Sequence, residues 1–199
     1  MSSNASERLG VSPAPGGLFV VQDFVNTDAA GRPDLLADIP TAQQWFSSHL
    51  AGREPITGGG QHPPIVFTGR DLQKLADLRS RLRHGLRHRD DGDAPGWIVE
   101  AGVSVQLRQT GDGTVIASPH GTGWRLVASL LLTESLLAQQ NNQWPRLKVC
   151  RSPECGTAFY DRSRNNIGVW HNVLVCGNAI NLRTSRARRR QGAAEADPH

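Results

Sequence analysis

Three cysteines, Cys150, Cys155 and Cys176, are all the chain has. They fall within one stretch of its 199 residues, KVCRSPECGTAFYDRSRNNIGVWHNVLVCGNAINLRTSRARRR at 148–190. Disulfides need cysteines in pairs and a tetrahedral zinc site needs four ligands, so three is one short for either scheme. His171 fills the gap. It precedes Cys176 at the spacing that separates Cys150 from Cys155, so the pattern is C-x4-C-x15-H-x4-C. The first pair, with Pro153 between, reads as a knuckle that points two sulfurs at one metal. Thiolates and a neutral imidazole suit zinc, and four protein ligands leave no position for substrate; the expected ion is structural, one per chain. If His171 is not a ligand, a water or Asp161 is the alternative fourth donor. A lone buried cysteine is commonly just a small apolar side chain. Three within 27 residues and none elsewhere argue against that reading.

The most apolar run, LVASLLLTESLLA at 126–138, is shorter than the roughly 18 residues a membrane span needs and contains Glu134. MSSNASERLG at the start lacks the basic-then-apolar pattern of a signal peptide. The expectation is a cytoplasmic protein with no membrane partner, whose reduced thiols favour metal over disulfide. The net charge of +4 is unevenly placed: five arginines and no acid lie between 183 and 190. Such a block contacts a polyanion or is merely solvated.

Residues 1–16, rich in Ser, Pro and Gly, are expected to be disordered. GLFVVQDFVNT, which follows, reads as a strand or a buried helical start. Thr41-Ala-Gln-Gln44 has capping-box spacing ahead of Trp45, Phe46 and Leu50 and predicts a short helix ending near Gly52. Thr68-Gly-Arg-Asp71 predicts a second capped start. After it Leu72, Leu75, Leu78, Leu82 and Leu86 form one stripe, with Arg and Lys opposite. Val103, Val105 and Leu107 alternate with polar residues like a half-buried strand, and Asp112-Gly113 turns it into a hairpin. An apolar helix from about 123 to 140 is expected at the centre of the core. The fold class is α+β: a mainly helical domain with a β-hairpin at 17–145, a small zinc module ending in a basic helix at 146–190, and a disordered tail at 191–199.

The finger segment resembles a known family. Cys150-x4-Cys155, FYDRSRN at 159–165, Trp170 and CGN at 176–178 before a basic helix resemble the CGNR-type zinc finger. In that family a second C-x4-CGNR pair supplies the remaining ligands, and its first cysteine, after a tryptophan, aligns with His171. DFVNT at 23–27 and DLLAD at 34–38 resemble the opening of the ABATE domain that accompanies this finger. The resemblance implies a bacterial, stress-induced transcription regulator in which zinc shapes a DNA-binding module. Two departures stand out. His171 replaces a cysteine and leaves one less negative charge on zinc. Ala179 replaces the motif arginine, so that CGNR reads CGNA, and this weakens the DNA inference more than the zinc inference.

On a helix, Arg183, Arg186 and Arg190 share one side, with Arg188 and Arg189 spread around the rest. Their planar forks suit phosphate. Asn178, Asn181 and Arg183 are candidates for base reading, and Arg162 and Arg164 for backbone contacts. Little points to an enzyme. GGG at 58–60 lacks the Lys-Ser/Thr of a phosphate loop, His84 and His88 lack a third ligand, and Asp90, Asp91 and Asp93 lack the remaining calcium ligands. Trp45 and Trp124 read as core. Asn26 reads as a buried group satisfying backbone or, in the alternative, as part of a ligand pocket for a small-molecule effector. The expected partner is DNA, with an RNA or protein partner as the alternative. A redox sensor that ejects zinc on oxidation is a further one, and a homodimer reading paired half-sites is compatible with the first.

Overall fold

The computed structural model describes residues 4–50, 65–89 and 102–178. The chain is α+β. Helices α1 (Ala5–Arg8), α2 (Leu18–Val25), α3 (Ile39–Leu50) and α4 (Gly69–Arg87) lead to the hairpin β1 (Ser104–Gln109) and β2 (Val115–His120). Helix α5 (Gly123–Gln140) follows, then a second, shorter hairpin of β3 (Leu147–Val149) and β4 (Ala158–Tyr160). No helix among the described residues is long and apolar enough to cross a membrane.

The ambiguous run at 18–25 is helical, and burial explains why its periodicity was unreadable. Leu18, Val20, Val21, Phe24 and Val25 are all buried, as are Gln22 and Asp23. A helix wrapped in protein on every side carries no polar stripe. Helix α5 supplies much of the surrounding core through Leu126, Val127, Leu130 and Leu131, each such burial contributing about 1.5–3 kcal/mol. Helix α4 adds Leu72, Leu75, Leu78 and Leu86, with Leu82 partly buried. Its capping box is present: Asp71 N donates to Thr68 Oγ1 at 3.2 Å and Thr68 N donates to Asp71 Oδ2 at 2.8 Å. Asp71 also accepts from Trp124 N at 3.1 Å, tying the start of α4 to the start of α5.

Four expectations are corrected. The first sixteen residues were expected to be disordered, yet residues 4–16 fold back onto α2. Ala5 N and Ser6 N donate to the Asp23 carboxylate at 3.0 and 2.6 Å, and Ala14 N donates to Gln22 Oε1 at 2.6 Å. Two buried polar side chains on α2 need these donors, and the N-terminal segment provides them. The start of α3 lies at Ile39, ahead of Thr41. Asp38 caps it by accepting from Thr41 N at 2.9 Å and Thr41 Oγ1 at 2.8 Å. The arginines of α4 do not all face water: Arg79 is buried and paired with Asp34 at 2.6 and 2.8 Å. Finally, the first hairpin turns its apolar face outward. Its register sets Val105 opposite Pro119 and Leu107 opposite Ala117, and Leu107 is 72% exposed. Ser129 of α5 ties the backbone of both strands where the hairpin opens, donating to Ser104 O at 2.7 Å and accepting from His120 N at 3.2 Å, and of the strand residues only Ser118 is buried.

Candidate metal centre

The second hairpin builds half of the metal site. Leu147 pairs with Tyr160 and Val149 with Ala158, and Cys150 N donating to Thr157 O at 2.8 Å extends the ladder to the first ligand. The chain then turns tightly. Cys155 N donates to Ser152 O at 3.1 Å, and Gly156 takes φ +65°, a conformation costly for any other residue. Cys150 and Cys155 thereby face the same point. The other half comes from a single π-helical turn, Val173–Gly177, which carries Cys176. Asn172 Oδ1 caps it by accepting from Leu174 N at 2.9 Å and Val175 N at 3.2 Å.

His171 joins these halves. Its Nδ1 lies 3.3 Å from Cys155 Sγ and 3.6 Å from Cys176 Sγ. The ligand atoms of Cys150, Cys155, His171 and Cys176 all lie within 4.8 Å of one another. A tetrahedral zinc with Zn–S about 2.3 Å and Zn–N about 2.0 Å requires N···S separations of about 3.6 Å and S···S of about 3.8 Å. The donor set and its spacing fit one structural zinc. The three sulfurs are buried, with Trp170 packed against them. The Cys150 thiol beside Cys155, with His171 and Thr157 near it, pulls the Cys155 thiol down. That same contact, together with burial, pushes Cys150 up.

Asp161 is not a ligand. It fastens the loop between the ligand pairs, accepting from Lys148 Nζ at 2.8 Å, Ser163 N at 2.8 Å and Gly168 N at 2.7 Å. Burial would raise its carboxyl, but these donors hold it well below the usual carboxylate range. A Cβ at Gly168 would come within 2.9 Å of Asp161 Oδ1, so the loop closes only over glycine. Lys148 Nζ also donates to Asn166 O and Gly168 O. The sequence marked this segment only through its resemblance; the Lys148–Asp161 fastening has no spacing signature.

Asn26 takes the first of its two expected roles, a buried group satisfying backbone. It is buried and clamps β4, accepting from Ala158 N at 2.7 Å and donating to Ala158 O at 2.9 Å and Ser6 Oγ at 3.0 Å. Further bonds join the helical part to the knuckle itself. Ala30 N donates to Cys155 O at 2.7 Å and Arg87 to Cys150 O at 3.4 Å.

The candidates for nucleic-acid contact divide. Arg164 and Asn178 are exposed. Arg162 is exposed too but is committed within the molecule, stacking over Tyr160 and donating to Pro13 O at 2.8 Å. Ala179, Asn181, Arg183, Arg186, Arg188, Arg189 and Arg190 lie outside the described residues, as do the 58–60 glycines and Asp90, Asp91 and Asp93. His84 and His88 lie with ring centroids 4.4 Å apart and planes tilted by 37°. Among the described residues, the Cys3His cluster is the one group of three or more Cys, His, Asp or Glu side chains arranged for a metal.

Comparison with known families agrees with this geometry. The family model described as the CGNR zinc finger matches residues 146–189, from the start of the second hairpin through the basic segment. The match covers the module and not the helical part before it. No curated protein matches the chain.

Proposed function

We propose that this protein is a DNA-binding transcription regulator whose zinc module is its reading head, a binding protein and not a catalyst. The observation that carries this reading is the position of a four-ligand zinc site, within a zinc-finger family match, directly ahead of five arginines in eight residues. Zinc would hold the second hairpin and the π-helical turn as one rigid base. The segment that leaves that base at Asn178 would then carry Arg183, Arg186, Arg188, Arg189 and Arg190 along the phosphate backbone, with Asn178 and Asn181 near the base edges and Arg164 adding a contact from the fastened loop. Arg162 is less suited, since Pro13 and Tyr160 already hold it.

The test is duplex binding measured across a salt series, with the zinc-loaded chain and a variant in which the five arginines become alanine. Five phosphate contacts give a log–log salt slope of about −4.5, near −0.9 for each. The variant should lose most of that slope and most of its affinity. Equal binding by both proteins would sink the proposal.

A second reading draws on a different surface. Ile167, Val173, Leu174 and Val175 are all exposed, Leu174 by 78%. Consecutive exposed aliphatics on a rigid turn mark a contact site, and they favour a zinc-stabilised module that docks on protein. A genome-wide pull-down separates the two: site-specific DNA enrichment supports the regulator, and none supports the docking module.

A further inference from the structure

The seam between the helical part and the zinc knuckle forms an open cavity of about 240 Å³. The turn at 28–31 forms one wall, Arg83 and Arg87 of α4 a second, and the knuckle at 153–156 the third. Helix α4 brings cations here at helical spacing: Arg79, Arg83 and Arg87 follow each other at i, i+4 and i+8 on one face. Two carboxylates answer them. Asp34 is bidentate to Arg79, and Asp28 lies 3.6 Å from Arg79 and 3.8 Å from Arg83. Arg83 donates further to Val25 O and Asp28 O, so its fork is spent.

Arg87 is left over. Among the described residues it forms no ion pair, and it makes a single long hydrogen bond, 3.4 Å to Cys150 O. Its Nε is buried without a partner, and so is that of Arg83. Buried N–H groups left unmet are costly, and charged ones more so. Glu154, the other acid on the wall besides Asp28, has interactions of its own.

We propose that this cavity is a binding site for a small oxyanion, a carboxylate or a phosphate, held by Arg87. A guanidinium with free donors matches an oxyanion in shape as well as charge. The volume, below that of pockets built for drug-sized ligands, suits a small ion. The site differs from the arginine run and stands whether or not that run binds DNA. Its position also gives it a consequence. An anion here touches the knuckle at Cys155, whose carbonyl is held by Ala30, and engages Arg87, which holds the carbonyl of the second ligand Cys150. Anion and zinc therefore tighten each other's hold, by the same factor in both directions.

The experiment is calorimetric titration of the zinc-loaded full chain with inorganic phosphate and with acetate, at constant ionic strength, alongside Arg87→Gln and Arg87→Lys. Zinc content and helical circular dichroism confirm that each variant is folded. Phosphate is expected to bind the unaltered chain and to slow zinc transfer to a chelator. In Arg87→Gln its Kd should rise at least tenfold and the slowing should vanish, while Arg87→Lys keeps part of both. Stronger binding of acetate than phosphate would assign the site to carboxylates, and displacement of phosphate by duplex DNA would assign it to the nucleic-acid backbone. No binding of either anion to the unaltered chain overturns the proposal. So does equal binding by a folded Arg87→Gln or Arg87→Lys protein.

Discussion

The helical part and the zinc module solve the same problem by opposite means. The helical part closes around a continuous apolar core that includes Phe24, Trp45, Phe46, Leu75 and Leu131. The module has three cysteines and Trp170 as its own cluster, too little to order a chain in water without help. A metal supplies the difference. The boundary is not clean, however. Leu147, Val149 and Ala158 of the second hairpin belong to the large core, and Asn26 clamps Ala158. The hairpin is thus founded on the helical part, while the ligands and the π-helical turn depend on zinc.

Removing the metal should break this comparison most visibly. With a chelator, amide protection in the knuckle at 150–157 and from 161 to 178 should collapse while β4 keeps its own, reflecting about 10 kcal/mol or more of metal-linked folding energy. Protection in α2, α4 and α5 should survive. Hydrogen exchange followed by mass spectrometry reads both, and a uniform loss would show that the two parts are one cooperative unit. The converse perturbation is Leu131→Ala, which should cost the helical part about 3–5 kcal/mol with zinc content unchanged.

Acid should separate the two parts by another route. Asp23 is buried and accepts from Ala5, Ser6 and Trp45, with His49 Nε2 3.0 Å from its Oδ2. Burial works to raise its carboxyl, but His49 and these donors hold it below its ordinary value. A depressed carboxyl contributes stability that is fully present above its unfolded pKa and is lost as pH falls through the folded one. The helical part should therefore hold to about pH 4 and weaken below. Zinc release begins higher, because protons compete for three thiolates and an imidazole. Zinc release and helical unfolding followed in one acid titration should be two events in that order; coincidence would contradict the division.

The seam gives the smallest effect. Asn26→Ala strands the buried N–H of Ala158 at roughly 1–3 kcal/mol and leaves its carbonyl only the 3.5 Å bond from Gln22 Nε2. It should lower the thermal midpoint while leaving zinc stoichiometry at one. Loss of zinc in this variant would mean that the seam, not the ligand set, forms the site.

What the sequence disclosed follows from how local each signal is. The Thr68–Asp71 box, the leucine stripe of α4, the hairpin turn at Asp112-Gly113 and the ligand spacing are all written within a few residues of their partners. What it concealed depends on partners far along the chain. Arg79 faces inward because Asp34 and Thr27, 45 and 52 residues away, receive it. Asn26 is a clamp because Ala158 lies 132 residues downstream. The N-terminal segment is ordered by Asp23, a need that its own Ser- and Pro-rich composition does not show. The first hairpin forms as expected, but β1 is largely exposed on both faces, and Ser129 fixes it to α5 through the backbone of Ser104. Periodicity says that a strand has two faces, not which one meets the core.

The central claim is that Cys150, Cys155, His171 and Cys176 hold one zinc. X-ray absorption at the zinc edge, on the purified full chain, tests it most directly. The expected spectrum has three sulfurs at about 2.3 Å and one nitrogen at about 2.0 Å, becoming four sulfurs in His171→Cys. A chain that carries no zinc, or a sulfur count that does not change in His171→Cys, would contradict it.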